Sequence, residues 1–513
     1  MAIRPELRRR CDVLIVGAGP TGLVLALWLV RLGVKVRIVD ITEGPGTASR
    51  ALAVQARTLE LYRQLDLADA VAERAYSAVG VNLWSRGRAV TRIPFEQVGK
   101  AVTPYPSLRI FPQDEHERLL VDRLAASGVA VDRQIELVEF TQDAAGIVAR
   151  LRRGDGEDEL CEALYLAGCD GAHSRVREIL GVGFGGGTYP HVFYVADVEA
   201  VGPAVNGELV VDLDDADFLA IFPLAAERRI RLIGTVRGKA AERPESLGFA
   251  DISRRAIENL KLNVETVNWF STYRVHHRVA ERFRSGRAFL LGDAAHIHSP
   301  VGGQGMNTGI GDAINLAWKL KAALSRRAQD GLLDSFEAER IAFARRLVAT
   351  TDRLFTFVTA DGPLANTIRV NVAPIALSAL AQFEAWREWL FWTISQIGLN
   401  YRGGPLSLGK AGRVHGGDRL PWAKAGSGDT FQTLGGLTWQ AHLYGVASAE
   451  LVAWCRERAL PLHVFPWAPA YEQAGLALNA LYLLRPDDYV AAADEAASVE
   501  TLRAYFADRG LTP

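Results

Sequence analysis

The 513-residue chain has no excess of charge of either sign: 58 basic side chains stand against 59 acidic ones, a formal net charge of -1. A protein that binds nucleic acid carries a basic surplus or stripe. The run Arg8-Arg9-Arg10 is too isolated to supply one and reads as a solvated flank. Cysteine is scarce: Cys11, Cys161, Cys169 and Cys455 show no C-x-x-C spacing and nothing like the density of a secreted disulfide-rich domain. That excludes a disulfide framework and points to reduced thiols in a cytoplasmic protein. Histidines come close together only as His276/His277 and His296/His298, without cysteine or carboxylate company at metal-ligand spacing, so no metal site is expected. An uninterrupted membrane span is missing too. Val13 to Val30 carries no charge, but Gly17, Gly19, Pro20 and Gly22 break it into a strand, a tight turn and a helix start. The apolar run then continues into folded-domain patterning, unlike a signal peptide. A soluble chain with no membrane partner is expected, and no internal repeat or low-complexity tract is evident.

What is present is enough apolar sequence, 49% of the residues, for two or three packed units. Asp12–Val16 reads as a buried parallel strand, Thr21–Leu32 as a helix and Val34–Val39 as the next strand, ending at Asp40. This β-α-β opening is the first unit of a doubly wound α/β sheet. Helices are expected over Val54–Leu65 and Gln113–Ala126, then strands from Val129 to Arg152 with a turn at Asp143–Gly146. From Tyr189 to Arg237 short β-branched or aromatic segments alternate with turn residues, which suggests an inserted antiparallel sheet. A buried strand returns at Ala288–Gly292, followed by a helix over Thr308–Leu324 and helical patterns to Ile397. Gly403–Gly417 looks like a linker into a last module of about a hundred residues. The expected division is 1–180 and 286–402 for the nucleotide-binding part, 181–285 for the inserted sheet and 403–513 for the last module.

Gly17-Ala18-Gly19-Pro20-Thr21-Gly22 is a G-x-G-x-x-G between a strand and a helix. Such glycines permit a tight turn and let the backbone approach a pyrophosphate at the positive helix end. Asp40 can accept a hydrogen bond from an adenosine ribose hydroxyl. The fingerprint by itself leaves NAD and FAD open. A second G-x-G-x-x-G, Gly181 to Gly186, follows the helical pattern Val176–Leu180 with no strand before it, and is read as a loop.

Two further motifs bear on the cofactor: Cys169-Asp170-Gly171-Ala172-His173-Ser174-Arg175-Val176-Arg177, and Gly292-Asp293-Ala294-Ala295-His296. With the first fingerprint, in this order and approximate spacing, they make the chain resemble the flavoprotein aromatic hydroxylases, the family of p-hydroxybenzoate hydroxylase, phenol hydroxylase and the aromatic-polyketide hydroxylases. The resemblance covers about the first four hundred residues and departs from the family at Asp40, where glutamate is usual. It implies a Rossmann-like FAD-binding domain with Asp170 near FAD and the incoming nicotinamide, and Gly292 and Asp293 at the ribityl chain. It extends through His298-Ser299-Pro300-Val301-Gly302-Gly303-Gln304-Gly305-Met306-Asn307, where Pro300, Gly303, Gly305, Met306 and Asn307 would lie against the flavin ring. The helix after them would aim its positive end at the charge of reduced flavin. Arg50 and Gln113 align with flavin-contacting positions of the family. His296 and His298 read as residues that hold the turn through hydrogen bonds. Asp312 reads as a helix-face charge, and the cluster Trp386, Trp389, Phe391 and Trp392 as core or packing surface.

Gly417-Asp418-Arg419-Leu420-Pro421 and Leu484-Arg485-Pro486-Asp487-Asp488-Tyr489-Val490 resemble the C-terminal thioredoxin-like domain of the phenol and polyketide hydroxylase branches. Without C-x-x-C, a structural or dimerisation role is expected for it. The resemblance implies an FAD-dependent monooxygenase that takes electrons from NADH or NADPH, uses dioxygen and hydroxylates an aromatic or polycyclic aromatic substrate through a flavin C4a-hydroperoxide. Arg37 and Arg175 are candidates for a 2′-phosphate contact, and no catalytic base is assigned. Three alternatives stay open: epoxidation or Baeyer–Villiger insertion on the same scaffold, a flavin dehydrogenase or oxidase, and a ligand-sequestering flavoprotein. A homodimer is compatible with the family.

Overall fold

An apolar run without alternation can be buried on both faces only in an interior strand of a covered parallel sheet. Arg8–Val16 (β1) meets that condition: Val13, Leu14 and Ile15 are fully buried. The computed structural model describes the chain except residues 1–7, 47–50, 95–97, 213–217, 225–227, 237–246, 253, 300–302 and 360–366. Pro20–Arg31 (α1) carries the crossover, and Val36–Asp40 (β2) returns parallel to β1. Ala56–Arg63 (α2) and Gln113–Ala126 (α3) follow. On the other side β1 pairs in parallel with Asp158–Gly168 (β3), which in turn pairs with Ala288–Leu290. Two antiparallel strands, Ile135–Gln142 and Ile147–Arg153, extend this first sheet from β3. No helix among the described residues is long and apolar enough to cross a membrane.

The second sheet has eight strands among the described residues, built around Phe184–Val201 (β4) and Asn263–Ala280 (β5). Its period-2 side chains part to two faces. Val192, Tyr194, Ala196 and Val198 join one apolar cluster, and Phe193 and Val195 join another. The hairpin Gly80–Pro94 completes this sheet through a parallel pairing with Leu209–Asp212, so the sheet is mixed and draws on chain far outside 181–285. The Gly181–Gly186 run differs from the expected loop: its last three residues open β4. A Cβ on Gly186 would stand 1.9 Å from the carbonyl oxygen of His277, so glycine there serves close approach to β5.

Gly305–Leu324 (α4) begins three residues before the expected Thr308. Gly331–Thr359 (α5) and Glu384–Ile394 (α6) carry most of the remaining helical pattern. Of the α6 aromatics only Phe391 is buried; Trp386 is half-buried, and Trp389 and Trp392 are exposed. The expected linker Gly403–Gly417 is instead a hairpin, Leu408–Ala411 and Val414–His415, on the edge of a six-stranded C-terminal sheet. Glycine-rich composition suits a tight hairpin as well as a linker, and pairing with Ala492–Asp494 settles which it is.

Buried charge welds the C-terminal unit to the rest. Arg485 donates to Glu339 of α5 at 2.6 and 3.1 Å, and to Asp487 at 2.9 and 2.6 Å. Glu339 also accepts from Lys319 of α4 at 2.9 Å, and Trp318 donates to Asp487 at 3.0 Å. Arg419 grips Glu60 of α2 with two bonds, of 2.7 and 2.5 Å. Burial alone would raise the Glu339 pKa, but Arg485 and Lys319 outweigh it and bring it from the ordinary 4.5 to about 2.

Removing one partner of a buried pair leaves the other charge uncompensated, so Glu339→Gln is expected to cost roughly 3–5 kcal/mol in urea unfolding at neutral pH. A folded pKa below the unfolded value means this contribution is full above about pH 4.5 and lost as pH falls towards 2. The stability gap between wild type and Glu339→Gln should therefore narrow in acid; a gap that is absent at neutral pH would refute the weld.

Candidate active site

Between β1 and α1 the three fingerprint glycines do different work. A Cβ on Gly17, whose φ is +102°, would lie 2.3 Å from the carbonyl oxygen of Cys169, and one on Gly22 would lie 2.0 Å from that of Gly17. Both glycines let the chain pack on itself. A Cβ on Gly19 meets nothing within 4 Å, so the backbone there is open to an approach from outside the chain. No side chain caps α1, and Pro20 takes the first position, where no N–H is needed. Asp40 Oδ2 accepts from the Ala18 N–H at 2.6 Å, while Oδ1 accepts from the N–H and hydroxyl of Thr42 at 2.8 and 2.6 Å. With two acceptor positions per oxygen, Oδ2 keeps one for a ribose hydroxyl. Thr21 is a spacer: its Oγ1 lies 2.7 and 2.3 Å from where Cβ atoms on Gly292 and Gly309 would stand. The starts of α1 and α4 therefore meet at one turn.

That turn, Gly292–Ala294, follows the Ala288–Leu290 strand, with Asp293 exposed and Gly292 buried. Beneath it lies Asp312, which is fully buried and no mere helix-face charge. Its Oδ2 accepts from the Gly292 N–H at 3.0 Å and faces His296 Nε2 at 2.7 Å, and its Oδ1 accepts from Arg340 Nε at 2.5 Å. Arg340 goes on to the Thr308 carbonyl and the Tyr401 hydroxyl, both at 2.9 Å. Burial would raise the Asp312 pKa, yet Arg340 and His296 hold it below the usual carboxylate range. Sequence reasoning missed this hub, although Asp312 falls seven residues after Gly305 and so shares its helix face.

The side chain of Asn307 is fully engaged. Its Oδ1 accepts from the Gln55 N–H and the Thr58 hydroxyl at 2.9 and 2.7 Å, and its Nδ2 donates to Ala53 and Gly303 at 2.8 and 3.0 Å. Asn307 thus offers a ligand only its backbone N–H, together with those of Gly305 and Met306 in the first turn of α4, where helix geometry provides no acceptor. Gln304 precedes them without a capping side-chain bond. Asp170 accepts from the Ser174 hydroxyl and the Val176 N–H at 2.6 and 3.0 Å, which fastens the short helix Arg175–Ile179. Arg177 ties that helix to the Ala294 carbonyl at 2.9 Å. Gln113 donates to Glu117 at 2.8 Å, and Glu117 accepts from the Gly46 N–H at 2.9 Å. Arg50 and Pro300 lie outside the described residues. Arg37 is buried against Glu159 and Asp132, so it is not presented to a 2′-phosphate; Arg175 is exposed beside Glu178.

Two uncapped helix starts meeting at one turn, an open glycine face and a ribose acceptor fit FAD: phosphates at α1 and the ring's developing negative charge at α4. Residues 10–351 match the FAD-binding domain family. The chain is 36% identical over 419 residues to the 6-methylpretetramide 4-monooxygenase of Streptomyces rimosus, covering 78% of this chain and 71% of that one. It is 30% identical to a flavin-dependent monooxygenase of Mycobacteroides abscessus, covering 96% and 99%. Among solved structures, aklavinone-11 hydroxylase in a ternary complex with FAD and aklavinone superimposes with a TM-score of 0.79 at 26% identity, over 98% of this chain and 99% of that one.

Because Gly19 faces outwards, Gly19→Val should leave the stability of the cofactor-free protein within about 0.5 kcal/mol while weakening FAD binding about tenfold or more. Gly22→Ala should instead destabilise the fold itself, by roughly 1–3 kcal/mol or more. Equal loss of stability in both variants would contradict this division. Asp312→Asn should weaken FAD retention about tenfold, as donors at Gly292 and Arg340 lose their charged acceptor. Unchanged affinity in a flavin titration would show that the turn holds without it.

Proposed function

The chain belongs to the FAD-binding domain family and is an FAD-dependent aromatic monooxygenase, and from that premise we propose that it hydroxylates a planar polycyclic, polyketide-type phenol, with NADH or NADPH as electron donor and dioxygen as oxygen source. One observation carries the choice of substrate class. The face of the second sheet that bears Phe193, Val195, Ile233 and Val275 gathers Tyr189, Phe218, Phe222, Trp269 and Tyr273 around them. Phe222 also packs with the group containing Leu52 and Ile110, and Leu52 precedes the Ala53 that Asn307 holds against α4. This aromatic face is therefore continuous with the start of the flavin helix, and extended π-surfaces suit a fused-ring ligand. The aklavinone and 6-methylpretetramide of the relatives support the same class.

Bound FAD would supply the redox chemistry and the activation of dioxygen. The protein's part is placement. The positive end of α4 favours negative charge on the reduced ring, the Asp312 hub holds the turn carrying Asp293, and the aromatic face orients the substrate and keeps water away. In this reading 1–180 and 286–402 form the FAD-binding part, 181–285 with the Gly80–Pro94 hairpin forms the substrate side, and 403–513 is a thioredoxin-like structural unit without dithiol chemistry.

The test is anaerobic reduction of the purified flavoprotein by NADPH and by NADH, with and without simple phenols and polycyclic hydroxyquinones, followed by turnover under labelled dioxygen. Flavin bleaching accelerated by the polycyclic class, with one labelled oxygen in the product, is the expected result. Reduction indifferent to every aromatic ligand, or a product without label, would overturn it, and the position of the label separates ring hydroxylation from epoxidation or Baeyer–Villiger insertion.

A further inference from the structure

One half-buried imidazole at the head of α4 has a solvent-shielded nitrogen with no hydrogen-bond partner among the described residues. His298 follows the short strand His296–Ile297, which pairs with Arg278 and Val279 of β5. Its backbone thus lies on the seam between the nucleotide-side turn and the second sheet. The ring is turned onto the first turn of α4, where Nε2 lies 3.6 Å from the place a Cβ on Gly305 would occupy.

The protonation pattern follows from the partners. His298 Nδ1 stands 2.8 Å from the carbonyl oxygen of Ser299. A carbonyl only accepts, so Nδ1 carries the proton, and in a neutral imidazole Nε2 is then a bare lone pair. Burial pushes the His298 pKa down to about 4, against a smaller opposing effect of the Ser299 carbonyl, so the ring is neutral near neutral pH. Nε2 is shielded from solvent and has no hydrogen-bond partner among the described residues. A buried acceptor left without a donor costs about 1–3 kcal/mol. A ligand seated at the head of α4 with an O–H or N–H directed at this nitrogen would remove that cost.

We propose that His298 contacts the bound ligand directly, its Nε2 accepting a hydrogen bond from a donor brought into the cleft: the imide N–H of the flavin or a phenolic hydroxyl of the substrate. The assignment rests on the reading of this cleft as an FAD and phenol site. It gives His298 a task different from that of His296, which is spent on Asp312. Beside the flavin, the acceptor holds the ring in register with α4. Beside a phenol, it draws the hydroxyl proton towards itself and raises electron density on the ring to be oxygenated.

The experiment compares His298→Asn, whose amide can still donate to Ser299 but ends short of the Nε2 position, with His298→Gln, whose amide oxygen reaches it. In the flavin arm, cofactor-free protein is titrated with FAD by fluorescence, and the bound spectrum is recorded. In the phenol arm, 1,8-dihydroxyanthraquinone is bound to the holoprotein and its ionisation followed by absorbance against pH. The expected result is a response in one arm: an FAD affinity about tenfold weaker in His298→Asn, or loss of a lowered ionisation pH for the bound hydroxyl, with recovery in His298→Gln. The responding arm names the donor. If both variants match wild type in both arms, or both fail alike in binding or in folding, His298 is a packing residue and the proposal falls. Wild-type protein that binds no FAD would instead overturn the parent reading of the site.

Discussion

A single carboxylate with no access to water organises the centre of this molecule. Asp312 receives the Gly292 N–H of the Gly292–Ala294 turn, faces His296 at the entrance to the second sheet, and is neutralised by Arg340 of α5. A charge buried so deeply persists only if every lone pair is answered, which is why its partners come from separate parts of the chain. Holding that charge therefore holds the turn, the head of α4 and the seam to the sheet in one fixed relation. Arg340 carries the constraint onward to Tyr401, at the approach to the C-terminal unit.

The same logic repeats along α4. Thr308, Asp312, Asn315 and Lys319 fall at helical spacings of four, three and four, a single stripe facing α5. Arg340 serves the upper part of the stripe, and Glu339, the adjacent residue of α5, serves Asn315 and Lys319 below it. Arg485 from the C-terminal sheet closes the lower part by binding Glu339. α4 is thus clamped by two neighbouring residues of one helix, and the C-terminal unit belongs to that clamp. Its lack of a dithiol motif is consistent with a role in holding α4.

Much of this was legible from residue order. The β-α-β opening is recognisable because an apolar strand, a glycine turn and a helix start are local patterns, and all three form where the sequence indicates. α4 begins earlier than expected because Gly305, Met306 and Asn307 form its first turn, and the glycine suggests a loop until the helix is seen. The parallel addition of Gly80–Pro94 to the second sheet is a long-range pairing that no local pattern announces. Within the site, Gly17, Gly19 and Gly22 look equivalent as a motif, and only their neighbours show that two serve the fold while the third faces outwards.

The sequence by itself determined the class of fold and, through the dinucleotide fingerprint and its companion motifs, the family, since each motif depends on residues close together in the chain. Only the tertiary structure decided what the isolated charges do. Asp312, Arg340, Glu339 and Arg485 look like surface charges in any one-dimensional window, because their burial and pairing depend on partners as far as 28 and 146 residues away. The His298 nitrogen without a partner among the described residues belongs to the same category: its meaning comes from the carbonyl on one side of the ring and the helix start on the other, a juxtaposition that exists only after folding.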